Sequence, residues 1–171
     1  NKSNNFRGIV VALKANFLIV EIYSHDFKED LLNQYHERIR LLCTRRSKLH
    51  YQGLSIDVGD FVSVESIDFK NKRAVISDVE PRKSFLKRPA VANVTLVSIC
   101  ISVDEPLFDM EQTTRFLLTA ECANIKPLII LTKIDLITEN DLILYVSKLK
   151  NWGYDCIPVS INNSQSIDLL I

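Results

Sequence analysis

The feature that most constrains this chain is Leu128-Ile129-Ile130-Leu131, an apolar run set between Pro127 and the polar residues Thr132, Lys133 and Asp135. Four apolar residues without alternation read as a strand buried on both faces, which a parallel sheet lying under helices requires. The stretch 127–136 (PLIILTKIDL) therefore sets Thr132, Lys133 and Asp135 at the carboxyl end of a strand, where open α/β sheets bind ligands. A carboxylate there can accept two hydrogen bonds from one edge of a planar ring. Guanine offers such an edge, N1–H beside the 2-amino group, and adenine does not. The aliphatic stem of Lys133 can lie on the ring face while its ammonium stays in water, and the Thr132 hydroxyl can tie neighbouring loops together. The same residues also describe an ordinary solvated loop, so the surrounding chain decides between the two.

The flanks of this run alternate in character. Residues 94–103 (VTLVSICISV) are a β-rich apolar stretch. Residues 110–124 read as a helix with Met110, Thr114, Leu117, Leu118 and Cys122 on one face. Residues 139–152 read as a second helix with Leu142, Tyr145, Val146 and Leu149 on one face. Thr138 stands where an N-cap would and Gly153 where a C-cap glycine would. Residues 154–159 are a third strand, and 166–171 look like the start of another helix. Strand, helix, strand, helix, strand is a βαβαβ unit, and right-handed crossovers make its strands parallel.

Residues 1–80 read differently. Short β-rich runs at 6–13, 17–23, 39–43, 61–65 and 73–79 are separated by turn signals at Lys14-Ala15-Asn16, Val58-Gly59-Asp60 and Asn71-Lys72. Residues 24–37 are polar, a loop or a short helix, with Leu31, Leu32 and Tyr35 at helical spacing. Five short strands fit a small barrel, with the five-stranded OB-fold as the leading candidate. Residues 81–93 hold Pro81 and Pro89 with Arg82, Lys83, Lys87 and Arg88, and read as a basic linker between a barrel and the α/β section at 94–171.

Composition bounds the function classes. Of 171 residues, 47% are hydrophobic and 25% charged, an ordinary globular balance. No apolar run approaches the roughly 18 to 20 residues that span a bilayer, so no membrane association is expected, and no secretory signal is visible at Asn1. A net charge of zero means that any nucleic-acid role rests on local patches. Cys43, Cys100, Cys122 and Cys156 lack CxxC spacing and read as buried small hydrophobes in a reducing compartment. His25, His36 and His50 show no ligand spacing with them, so no metal site is expected within the chain.

With these pieces in place, the chain resembles the circularly permuted GTPases that act on the small ribosomal subunit, the RsgA type. The likeness runs through the whole chain in order. Leu42-Cys43-Thr44-Arg45-Arg46-Ser47-Lys48-Leu49 and Val58-Gly59-Asp60 are similar to the family's Cys-basic segment and VGD turn. Pro81-Arg82, Arg88-Pro89 and Ala92-Asn93-Val94 resemble its PR…RP…AN(V) junction. Thr132-Lys133-Ile134-Asp135 falls at its N/T-K-x-D guanine motif, and Val159-Ser160-Ile161 at its second guanine motif. After Ser160-Ile161 the family often has a Lys and a Gly-rich turn, where this chain has Asn162-Asn163-Ser164-Gln165. CTRR and the DEPLFD stretch at 104–109 look most like cyanobacterial and plastid members.

The resemblance implies an OB-fold followed by part of an α/β P-loop GTPase domain in permuted order. It implies GTP/GDP as ligand, with Thr132, Lys133, Asp135, Ser160 and Ile161 at the guanine. It implies a partner in the small ribosomal subunit and its 16S-type rRNA, met through Arg38, Arg40, Arg45, Arg46 and Lys48. Arg82, Lys83, Lys87 and Arg88 either join that RNA contact or pin the two domains together. The chain contains no GxxxxGK[ST] and only four glycines. The phosphate loop is therefore expected about 15 to 30 residues beyond Ile171, with Mg2+ and a structural Zn2+ in that further part. The parent protein is expected to be a GTPase for late small-subunit maturation, while these 171 residues alone would be inactive, without catalytic residues of their own. A monomer in the plastid stroma is expected, with a bacterial-type cytoplasm or a mitochondrion as alternatives. The competing reading is a non-catalytic RNA-binding module without a phosphate loop.

Overall fold

The computed structural model describes residues 5–23, 38–51, 53–105, 109–163 and 166. The expected features at 24–37 lie outside the described residues, as does most of the helix start at 166–171. The chain divides into two compact units, Asn1–Val94 and Thr95–Ile171.

In the first unit, β1 (Phe6–Lys14), β2 (Phe17–Tyr23), β3 (Arg38–Arg45), β4 (Phe61–Asp68) and β5 (Arg73–Val79) close a barrel in the order β1-β2-β3-β5-β4. Strict alternation drives it. Leu18, Val20 and Ile22 of β2, Ile39, Leu41 and Cys43 of β3, and Val62 and Val64 of β4 point inward and are buried together. Antiparallel pairing of β1 with β4, from Phe6↔Val64 to Ile9↔Phe61, closes the cylinder and leaves no open sheet edge. β3 and β5 pair in parallel, so the chain has to cross between them. It does so through β4 and a short helix, α1 (Ser47–Tyr51), whose Leu49 is buried in the barrel core. The sequence reading had no helix there, because a single buried leucine makes no period.

The stretch 81–93, expected as a linker, carries a hairpin. β6 (Phe85–Lys87) and β7 (Ala90–Ala92) pair from Phe85↔Ala92 to Lys87↔Ala90, with Pro89 in the turn between them. An isolated bridge Val58↔Val91 and a hydrogen bond from Ala92 N–H to the Val58 carbonyl at 2.8 Å tie it to the barrel unit.

In the second unit, β8 (Leu96–Ser102), β9 (Lys126–Thr132) and β10 (Cys156–Pro158) form a parallel sheet in the order β10-β9-β8. The helices α2 (Met110–Cys122) and α3 (Glu139–Asn151) connect them. Ile99 and Ile101 of β8 and Ile129 and Leu131 of β9 form one cluster with Leu117 of α2 and Leu149 of α3, so both helices cover the same sheet face. Two right-handed crossovers stepping in one direction give that arrangement. Ile129, Ile130 and Leu131 are all buried, as the uninterrupted run demands.

Two expectations are corrected. The buried line of α2 is Thr113, Leu117 and Ala120, whereas Met110 and Leu118 are exposed. Thr113 can be buried because its hydroxyl donates to the Asp109 carbonyl at 2.7 Å. Only Cys43 of the four cysteines is buried; Cys156 is half-buried and Cys100 and Cys122 are exposed. Cys100 alternates with Ile99 and Ile101 and so lies on the sheet face away from the helices. Burial pushes the Cys43 thiol up to about 12, which leaves it unreactive.

Candidate functional site

Residues expected at the guanine gather where β9 ends. The Thr132 hydroxyl donates to the Ile101 carbonyl at 3.3 Å and ties β9 to β8. Lys133 takes a left-handed conformation (φ 61°, ψ 34°), turning the chain sharply into a 3-10 turn, η1 (Ile134–Leu136). The Lys133 ammonium donates to the Asp104 carbonyl at 3.4 Å and to that of Glu105, so its stem spans from β9 to the loop after β8. That fixes the stem as an aliphatic wall beside the strand ends.

Asp135, in η1, is bracketed from the loop after β10. Its Oδ1 accepts from the Ser160 hydroxyl at 2.5 Å and its Oδ2 from the Asn162 side-chain amide at 2.8 Å. The two loops are also joined by Val159 N–H to the Leu131 carbonyl at 2.7 Å. Ser160 is buried. Its N–H donates to Ser166 Oγ at 3.0 Å, and its own Oγ accepts from Asn162 N–H at 3.1 Å. The hydrogen bonds from Ser160 and then Asn162 hold the Asp135 carboxyl below its ordinary range, so it is ionised and purely an acceptor at neutral pH. Asp135 itself is exposed, and both groups that bracket it come from the one loop after β10. Ile161 stands at the tip of that loop, 89% exposed. Asn162 was read only as a departure from a lysine; an amide two residues after the serine was the signal for a second donor to the carboxylate.

The basic residues fall into three groups. On the barrel wall, Glu21 lies opposite Arg40 in the β2–β3 register. It accepts from Arg38 Nη1 at 3.3 Å and Arg40 Nε at 3.0 Å. Arg46 pairs with the buried Glu65, and Arg45 and Lys48 are exposed beside it along the chain. On the hairpin, Lys83, Lys87 and Arg88 are exposed.

Arg82 stands apart. Its Nε donates to Asp60 Oδ1 at 2.7 Å, and its Nη2 to Asp60 Oδ2 at 2.7 Å, Asp57 Oδ2 at 2.8 Å and the Ser55 carbonyl at 2.9 Å. The guanidinium also lies 4.2 Å above the Phe85 ring. Gly59 (φ 89°) completes this clasp: a Cβ there would meet the Ala92 carbonyl oxygen at 2.1 Å. The Asn93 amide donates to the Gly59 carbonyl at 2.9 Å. Arg82 therefore pins parts of the first unit to one another.

The fold defines a class: a five-stranded OB-type barrel followed by part of a circularly permuted GTPase domain. A solved structure of YjeQ from Thermotoga maritima superposes with a TM-score of 0.73 at 29% identity, covering 91% of this chain and 52% of that one. A structure described as YloQ, a circularly permuted GTPase, gives 0.75 at 24% identity, covering 96% and 54%. The family model "RsgA GTPase" matches residues 79–171, more than half the chain, and the chain belongs to that family. Among curated relatives, a Small ribosomal subunit biogenesis GTPase RsgA of Prochlorococcus marinus strain NATL2A is 80% identical over 171 residues, all of this chain and 55% of the relative. Another of the same description, from Parasynechococcus marenigrum strain WH8102, is 47% identical over 165 residues, 95% of this chain and 52% of the relative. The chain spans about half the length of these relatives.

Proposed function

We propose that this chain supplies guanine recognition and RNA contact to a GTP-hydrolysing factor for late maturation of the small ribosomal subunit. The observation that carries the reading is an ionised Asp135, bracketed by Ser160 and Asn162 at a strand end beside Lys133. Guanine N1–H and its 2-amino group donate to Asp135, the Lys133 stem packs on the ring face, and Ile161 N–H meets the base carbonyl. The names of the curated relatives support the ribosomal setting. Hydrolysis needs a phosphate cradle, and no GxxxxGK[ST] occurs in these 171 residues. Among the described residues no group of three or more His, Cys, Asp or Glu is gathered to hold a metal ion, and Mg2+ and a structural Zn2+ are assigned to the further part of the full-length protein.

RNA contact is assigned to Arg45, Arg46 and Lys48, with Arg38, Arg40, Lys83, Lys87 and Arg88 extending the basic surface. Glu21 and Glu65 hold three of these arginines in place and lower the local charge without removing it, since one carboxylate faces both Arg38 and Arg40. The cyanobacterial relatives favour a bacterial-type cytoplasm over the plastid stroma.

The test is Asp135→Asn in the full-length natural polypeptide, with GDP and xanthosine diphosphate as ligands. GDP affinity is expected to fall by about 100-fold as two charge-assisted bonds are lost, and preference to move to the xanthine nucleotide, whose edge complements an amide. Unchanged GDP affinity would refute the assignment. Reversing charge at Arg45 and Arg46 is expected to weaken binding to the small subunit and flatten its salt dependence by about two phosphate contacts; an unaltered slope removes these residues from the interface.

A further inference from the structure

We infer that Asn162 is an internal rival of the guanine edge: its amide donates to Asp135 Oδ2, an oxygen that the base also calls on, and the base takes that position from it. The inference rests on the guanine reading above. The two groups that bracket the carboxylate are not equivalent. Ser160 is buried and locked, with its N–H on Ser166 Oγ and its hydroxyl on Asp135 Oδ1. Asn162 is exposed, and its side chain reaches the other oxygen, Oδ2, at 2.8 Å. An amide NH2 is the same kind of donor that guanine brings, a planar N–H aimed at a carboxylate lone pair. Ser160 therefore stays to orient Asp135 while Asn162 and the base compete for one acceptor. The bond guanine makes at Oδ2 replaces a bond already present, so its net gain is reduced. Asn162 is thus an affinity-setting residue of the base pocket.

Removing the amide turns that exchange into a new bond formed against water only. In the full-length protein, Asn162→Ala is expected to tighten GDP binding by about three- to tenfold, the worth of one ordinary hydrogen bond. The association rate of a fluorescent GDP analogue should rise with it, because no group has to vacate first. Asn162→Ser, too short to reach Oδ2, is the second variant and should behave alike. The thermal midpoint of each free variant checks that the exposed loop substitution leaves the fold intact. GDP affinity that is unchanged or weaker in both variants overturns the inference and makes Asn162 a bystander or a positioning residue. Failure of Asp135→Asn to shift preference to the xanthine nucleotide overturns the guanine reading itself, and this inference with it.

Discussion

Asp60 has no exposed surface, and its carboxylate meets Arg82 through both of its oxygens. Removing one partner of such a pair strands a buried charge, so Arg82→Ala is expected to cost about 3 to 5 kcal/mol. Urea unfolding would read this as a lowered midpoint, with Arg88→Ala, on the exposed hairpin, as the near-neutral control. Gly59→Ala should destabilise as well, since it combines a left-handed backbone with a collision against Ala92. At Asp135 the sign of the pH effect follows from a lowered folded-state pKa. The contribution of its bonds to Ser160 and Asn162 is present above the carboxyl's ordinary value of 3.8 and is lost as pH falls through the depressed one. Affinity for guanosine, which carries no titrating phosphate, should therefore stay flat from neutral pH down to that value, and a decline beginning near pH 6 would mean that another group titrates in the pocket. That Asp135 stands just past a strand end was legible in the sequence because a buried apolar run stops shortly before it. Its exposure and its tie to Asn162 were not, because both depend on a loop 25 residues downstream (160 − 135).

Among elements, β9 was the most legible, since Ile129, Ile130 and Leu131 in succession read as a strand and are all buried. The first helix of the second unit was legible in extent and misread in facing. Its apolar side chains suggested a stripe through Met110 and Leu118, yet the sheet is met by Thr113, Leu117 and Ala120. A small residue and a self-bonded threonine allow closer approach than leucine does, and hydropathy alone cannot register that. The β6–β7 hairpin escaped notice because strands of three residues are too short to show alternation. The start of α2 carries a prediction of its own. Asp109 accepts from the N–H groups of Glu111 at 2.9 Å and Gln112 at 3.2 Å. Asp109→Ala should cost about 1 kcal/mol, seen as a lower thermal midpoint by circular dichroism, and Asp109→Asn should recover most of it.

Across the whole molecule, two separate apolar clusters underlie the two units, one inside the barrel and one between the parallel sheet and its helices. The order of barrel before parallel sheet was readable from the change in period near residue 94. That residues 81–93 fall within the first unit was not readable, because Pro81 and Pro89 resemble punctuation. The Arg82 clasp therefore sets a rule for anyone excising or grafting the barrel as a portable module. A fragment cut after residue 80 would discard the only counter-ion found for Asp60 among the described residues, along with the Asn93 tether. It should express as an unstable or aggregating polypeptide, whereas one carried through residue 94 should melt cooperatively.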